Sequence, residues 1–177
     1  MGTSQDVADL SDDALVERAL ITGVQEVRVI NVDTVVVADW VRQKCRFGCG
    51  GYGQCLTCPP YSPAPAETRA MLGHYRRGVL LHNHGRKWGA IQDAVAALER
   101  DFFLEGYHKA LAMGSGPCHL CDACDTDGPC RHPREARPAM EACSIDVFST
   151  ARANGFTIRT VKTRQQTPDF FGLVLVE

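Results

Sequence analysis

Several features that define common protein classes are missing from this sequence of 177 residues. No apolar run is long enough to span a bilayer. The N-terminal twenty residues are acidic and lack the apolar stretch of a signal peptide, and Asp6 stands where a myristoylation signal carries Ser or Thr. Neither glycine-rich phosphate-binding motif is present. We therefore expect a cytoplasmic protein with no membrane segment and no nucleotide-binding loop.

An excess of charge of either sign is also missing. The chain has 19 Lys and Arg against 21 Asp and Glu, so its net charge is −2. No overall field attracts nucleic acid or an anionic membrane, and neither is expected as a partner. The length and the 45% hydrophobic content suit one domain, spanning residues 1–177, with a real core.

Cysteine, by contrast, is abundant, with nine residues. Disulfides rarely persist in the cytoplasm, so metal binding or catalysis is the better interpretation. Eight of the nine fall into two groups. The first cysteine group is Cys45, Cys49, Cys55 and Cys58, and the second cysteine group is Cys118, Cys121, Cys124 and Cys130. Cys143 stands alone.

The pattern of apolar residues predicts an α/β domain with a mixed sheet and helical crossovers. Helices are expected over 11–22, 65–75, 88–104 and 144–154, and strands over 27–32, 34–41, 78–84, 107–113, 156–163 and 170–177. Ser11 and Ser144 are the expected helix caps, and Gly155 the expected stop. The order strand, helix, strand from 78 to 113 predicts a parallel crossover. We expect Trp88, Phe102 and Phe103 to lie in the core.

Both cysteine groups are predicted to lie in loops, about 44–63 and 115–133, inserted at one rim of the sheet. Each begins just past a predicted strand, and His82 and His84 end another. Ligand sites in open α/β sheets favour this rim. The two histidines are candidate proton donors or ligands, with ordinary hydrogen bonding as the alternative.

The second cysteine group has the spacing Cys-x2-Cys-x2-Cys-x5-Cys. Three thiols at this spacing can wrap one cubic cluster, as in the bacterial ferredoxin run, although the fourth cysteine comes two residues later here. Four thiolates can also bind zinc, but zinc sites usually carry two separated Cys-x2-Cys pairs. The spacing favours a 4Fe–4S cluster over zinc.

The first cysteine group has a less diagnostic spacing, Cys-x3-Cys-x5-Cys-x2-Cys-Pro-Pro. Glycines between the cysteines let the backbone turn amide N–H groups toward bound sulfur. A second cluster is expected here. A zinc clamp made of the four cysteines, and a site with three ligands in which Cys55 is a bystander, remain alternatives. Ligands can also be shared between the two groups.

Three stretches of the chain resemble a family of small cysteine-rich proteins of unknown function, described as predicted metal-binding and common in anaerobic bacteria and archaea. They are KCRFGCGGYGQCLTCPPYSPAPAETR, FLEGYHKALAMGSGPCHLC and CRHPREARPAMEACSIDVFSTARANGF. The positions that match the family pattern are Cys45, Cys49, Tyr52, Cys58, Pro59, Pro60, Cys118, Cys121, Cys124, Cys130, His132, Pro133, Met140, Glu141 and Cys143. Position 55 is usually not cysteine in that family, and glycine is usual where Ser144 stands. The resemblance implies metal binding and favours Cys143 over Cys55 as a ligand.

Basic residues surround the cysteines: Lys44, Arg46, Arg131, Arg134 and Arg137. Such cations stabilise an anionic cluster and raise its potential, although a solvated basic edge is an equal alternative. The Tyr52 hydroxyl is a candidate donor to sulfur.

Three functions compete on these observations. The first is a protein with two 4Fe–4S clusters that exchanges electrons with a redox partner protein. The second is an iron–sulfur enzyme, with an open iron that acts on a small molecule or sulfur. The third is a zinc-stabilised binding module. The lack of a recognisable catalytic set favours the first, and whether the protein is an enzyme stays open.

Overall fold

The computed structural model describes residues 9–85 and 89–177, so Trp88 lies outside the described residues. The helices are α1 (Asp12–Ile21), α2 (Asp39–Gly48), α3 (Pro65–Leu72), α4 (Gly89–Leu104) and α5 (Val147–Ala153), and the strands are β1 (Glu26–Asn31), β2 (Arg77–His84), β3 (Leu111–Met113) and β4 (Asp169–Leu175). Short 3-10 turns lie at Val32–Thr34 and Glu141–Cys143. In the described ranges, no helix has the length and apolarity needed to cross a bilayer.

The four strands form one sheet in the order β1-β2-β4-β3, and all three pairings are antiparallel. Because β2 and β3 both run opposite to β4, they point in the same direction and end at the same edge of the sheet. Helix α4 connects them. The expected α/β class and helical crossover are confirmed: β2 and β3 are parallel to each other in one sheet, with β4 between them.

The sheet separates two apolar layers. On one face, α1 and α4 cover alternate strand residues such as Val79 and Leu81. On the other face, Leu80 packs with residues from the 3-10 turns and α5. Helix α4 lies close to the sheet at Gly172, where an added Cβ would stand 2.7 Å from both Ile91 and Val95. This close packing fixes the position of the chain that leaves α4 and enters β3.

Two predicted strands are absent from the described structure. The segment 34–41 contains only one bridge, from Val37 to Ile145, and then continues as helix α2. The segment 156–163 buries Phe156 and Ile158 but forms no strand. Its β-branched composition predicts a strand, but a strand also needs a pairing partner, and in the described structure this segment pairs with none of the four strands.

The predicted helix start at Ser144 is wrong by two residues. Asp146 caps α5, and its side chain accepts a hydrogen bond from the Ser149 amide at 3.1 Å. Ser144 instead has a φ of 65°, in the left-handed region that favours glycine. It ends the preceding 3-10 turn, which explains why glycine suits this position. The predicted stop at Gly155 is confirmed, with a φ of 79°.

Phe102 and Phe103 have opposite environments. Phe102 is fully buried, as predicted, whereas Phe103 is 57% exposed, so its predicted place in the core is wrong. Adjacent residues on a helix point about 100° apart, and only the Phe102 side of α4 faces the sheet.

Candidate metal centre

The first cysteine group begins on a helix rather than after a strand. Cys45 lies in the second half of α2, which packs against the 3-10 turn at Glu141–Cys143. Its Sγ is 4.0 Å from the Glu141 carbonyl oxygen. The predicted position of this group past a strand end is therefore wrong. The second cysteine group does follow β3, at the edge where β2 also ends.

The loop that follows α2 is fixed by backbone hydrogen bonds and by Arg42. The Gly53 amide donates to the Pro59 carbonyl at 2.7 Å. The Arg42 guanidinium, one turn before Cys45 on α2, donates to the carbonyls of Pro60 and Pro63 at 3.1 and 2.9 Å. Sequence reasoning missed Arg42 because 34–41 was interpreted as a strand. Arg42 and Cys45 are three residues apart, a spacing that places two side chains on the same face of a helix, and this spacing could have identified Arg42.

Three thiols of the first group form a cluster that we call the α2 thiols: Cys45, Cys49 and Cys58. The Gly51 amide donates to Cys49 Sγ at 3.4 Å, and a Cβ added at Gly51 would stand 3.5 and 3.8 Å from the sulfurs of Cys49 and Cys58. These are ordinary van der Waals distances, so they place Gly51 directly beside both sulfurs.

Cys45 and Cys58 hold their protons more tightly than ordinary thiols do in the absence of a cation. Burial, together with the neighbouring Cys49, raises the pKa of Cys45. Burial and the charges of Cys55 and Cys49 raise the pKa of Cys58 to about 11. Thiolates gathered this closely repel one another, so a bound cation or cluster is what would stabilise them together.

By sequence Cys55 belongs to the first cysteine group, but its side chain lies with the cysteines of the second group. Its side chain is buried, contacts the Thr57 hydroxyl at 3.4 Å and faces the same cavity as Cys118 and Cys124. A cavity lies at this junction, and we call it the five-thiol cavity. Its cysteines are Cys55, Cys118, Cys121, Cys124 and Cys130. The two sequence groups of four thus become three thiols at α2 and five around one cavity.

Backbone amides point at the sulfurs of the five-thiol cavity. The Leu56 amide donates to Cys124 Sγ at 3.5 Å, and the His132 amide donates to Cys130 Sγ at 3.4 Å. The Leu120 backbone also hydrogen-bonds Cys118 and opposes the rise in its pKa that burial causes. Such donors favour the thiolate form, which is the form that binds metal.

Cys55 and Cys124 influence each other's pKa in this cavity. Burial raises the pKa of Cys55, but hydrogen bonds from Thr57, Cys124 and Cys118 outweigh burial, and the net pKa is lowered. The Leu56 amide lowers the pKa of Cys124, but burial and the nearby Cys55 and Cys121 raise it overall.

The thiols surround a space and do not converge on a point. Within the described ranges, no three His, Cys, Asp or Glu side chains are arranged to hold a single metal ion. The donor set is nonetheless chemically suited to a soft metal or an iron–sulfur cluster, because it consists of thiols with amide donors around them. The residues present therefore fit such a group, and each cysteine's role as a ligand stays a prediction.

Cys143 is not among the residues that line the five-thiol cavity. It is 1% exposed, it packs in the apolar core, and burial raises its pKa to about 12. Its carbonyl accepts a hydrogen bond from the buried Thr68 hydroxyl at 2.8 Å. These features suit a structural residue that fixes the 3-10 turn against α3.

His82 and His84 share one acceptor. His82 Nε2 and His84 Nδ1 lie 2.9 and 3.0 Å from Asp169 Oδ1, and the His82 ring stacks on Phe171 with centroids 4.6 Å apart. Neither histidine lines the five-thiol cavity. Their position is explained by the pairing of β2 with β4, which brings them to Asp169. This corresponds to the alternative role of ordinary hydrogen bonding.

The predicted basic residues divide into two kinds. Arg137 forms an ion pair with Glu99, and the Arg131 guanidinium donates to the Ala123 carbonyl at 2.7 Å, so both stabilise the second loop. Lys44 and Arg46 instead lie over the exposed rings of Trp40 and Phe47.

Arg134 lines a groove of about 860 Å³ that also includes Cys118 and His119. Tyr52 contributes its amide, which donates to the Cys49 carbonyl.

This arrangement of thiols, loops and amide donors is typical of a metal-binding protein. A family model described as predicted metal-binding protein (DUF2284) matches residues 28–176, and the chain belongs to that family. Comparisons with curated proteins and with solved structures found no match.

Proposed function

We propose that this protein binds two 4Fe–4S clusters and transfers electrons to or from a partner protein. The observation that carries the proposal is the division of the thiols into two separate sets. One set is the α2 thiols, and the other surrounds the five-thiol cavity. Two clusters on one small domain provide a path for single electrons.

Iron–sulfur clusters fit the thiols better than zinc does. Three cysteines at x2 spacing come from one loop, as in cluster-binding runs, whereas structural zinc sites use two separated pairs. The five-thiol cavity also spreads its sulfurs around a space, which suits a polynuclear group more than one ion. The amides of Leu56 and His132 would donate to cluster-bound sulfur, and such donors tune the reduction potential.

The exposed face of α2 supports a protein partner. Trp40 and Phe47 are 49% and 79% exposed, and both lie on the helix that carries Cys45. The stretch 40–61 contains three basic residues and no acidic one. An acidic electron carrier would meet both apolar contact area and complementary charge beside the α2 thiols.

The metal content tests the cluster proposal. We expect protein purified without oxygen to be brown, with about eight irons and matching acid-labile sulfide per chain. Tetrahedral zinc without sulfide, in cells supplied with iron, would contradict it.

Salt-dependent kinetics test the partner proposal. Reduction by a ferredoxin of net negative charge should slow as ionic strength rises, and Lys44→Glu should slow it about tenfold at low salt. Lys162→Glu, an exposed charge reversal elsewhere, is the matched control. A Lys44→Glu protein that keeps the wild-type rate would exclude this face.

The groove beside Cys118 favours a second candidate, an enzyme acting on a small molecule. Its volume of about 860 Å³ suits a ligand, and its lining combines three arginines with three acidic residues: Arg100, Arg134, Arg137, Asp93, Glu99 and Glu135. A compound that binds there, from a panel of small charged and neutral molecules, should perturb the cluster spectrum in the wild type and less in Arg134→Ala. Arg164→Ala, an exposed change elsewhere, is the control. No spectral response to the panel would leave electron transfer as the function.

A further inference from the structure

We infer that Cys55, which by sequence belongs to the first loop, supplies a thiolate to the second metal centre and can replace Cys130 there. This inference rests on the proposed metal-binding function and assigns the ligands of one centre.

The position of the Cys55 side chain carries the assignment. Cys55 is buried, and it lines the five-thiol cavity together with Cys118 and Cys124. The neighbouring Leu56 amide donates to Cys124 Sγ at 3.5 Å, so backbone and side chain reach the second group together. A bystander thiol on the first loop would not need both features.

The number of thiols makes Cys55 and Cys130 alternatives. A cubic cluster takes four cysteine ligands, and five thiols line this cavity. Cys118, Cys121 and Cys124 have the x2 spacing that holds three irons from one loop. The fourth iron can then be bound by Cys130, five residues further along the chain, or by Cys55 from the first loop.

A ligand from the first loop would link the two cysteine-rich segments through the metal. Cys58 lies three residues beyond Cys55 and belongs to the α2 thiols, and the charge of Cys55 raises its pKa. Binding at the five-thiol cavity would therefore fix the position of the first loop and help to order the α2 thiols.

Serine variants of the full-length, metal-loaded protein test the assignment. We expect Cys130→Ser to keep the metal of the second centre, because Cys55 takes its place. Cys55→Ser/Cys130→Ser should lose that metal completely, while the spectroscopic signal of the α2 centre remains. Cys143→Ser/Cys130→Ser is the matched control and should keep the second centre, since Cys143 does not line the five-thiol cavity.

Two results would overturn the inference. One is complete loss of the second centre in Cys130→Ser alone, to the extent seen in Cys124→Ser. The other is retention of that centre in the double variant. The number of metal ions per chain shows whether the second centre is kept, whichever metal is bound. Zinc in place of iron would therefore refute the proposed cluster, and the role of Cys55 as a ligand could still be tested.

A second measurement tests the inference if the double variant fails to fold. Mild oxidation of the metal-free Cys130→Ser protein with diamide removes two electrons and two protons from a pair of neighbouring thiols and leaves a disulfide. Peptide mapping should find Cys55 joined to Cys118 or Cys124. Pairing of Cys55 only with Cys49 or Cys58 would place it with the first loop and refute the inference.

Discussion

Arg137 and Glu99 form a two-pronged ion pair that joins the end of the second cysteine loop to helix α4. The guanidinium Nε and Nη2 donate to the two carboxylate oxygens at 2.7 and 2.6 Å, and the side chains are only 16% and 14% exposed. Glu99 also accepts the amide of Ala112 in β3. One carboxylate thus connects a helix, a strand and the loop that carries the second cysteine group.

Removing Glu99 should be costly, because Arg137 would remain largely buried without its partner. We expect Glu99→Ala to lower the free energy of unfolding by about 3 kcal/mol. Urea denaturation measures the change, and Glu17→Ala on the exposed face of α1 should change it by less than about 0.5 kcal/mol. Equal effects of the two changes would contradict the role given to this ion pair.

Stability should fall in acid partly through Asp169. Burial raises its pKa, but hydrogen bonds and charge from His82 and His84 outweigh burial and lower it overall. A lowered pKa in the folded state gives stability that is complete above the unfolded value of about 4 and is lost as pH falls through the folded value. Asp169→Asn should therefore be less stable than wild type at pH 6, with a gap that narrows below about pH 4. An unchanged gap across that range in urea titrations would exclude this linkage.

Gly172 should not tolerate a methyl group. A Cβ there would stand 2.7 Å from the branched side chains of Ile91 and Val95, which have little rotamer freedom in a helix. We expect Gly172→Ala to cost about 1–3 kcal/mol by overpacking, measured by thermal or urea unfolding. Gly50→Ala, where nothing lies within 4 Å of the added Cβ, is the control for the glycine change itself. A neutral Gly172→Ala would mean that α4 can move away from the sheet without cost.

Removing the metal should loosen the second loop before the sheet. The segment 115–137 contains no helix and no strand, so its order depends on a few hydrogen bonds and on whatever its thiols bind. Metal binding is coupled to folding in such segments. After treatment with a chelator, trypsin should cut first at Arg131 or Arg134, while far-ultraviolet circular dichroism stays near that of the loaded protein. Equal cleavage rates with and without metal would contradict this coupling.

The sequence by itself determined the chemistry and most of the regular elements. Nine cysteines in a chain of balanced charge indicated metal binding, and the family match agrees with that interpretation. The helix capped by Ser11 and the long helix α4 were predictable because their signals are local: a capping side chain and apolar residues at helical spacing.

Only the tertiary structure decided the strand pairing and the grouping of the thiols. The segments 34–41 and 156–163 have strand-like residues, but a strand also needs a partner edge, and that depends on the rest of the sheet. Cys55 is three residues from Cys58 in sequence, yet it lines one cavity with Cys118 and Cys124. Spacing along the chain restricts which thiols can meet within one loop. Which loops meet is decided by packing. Here α2 and β3 end so that the loops that follow them lie next to each other.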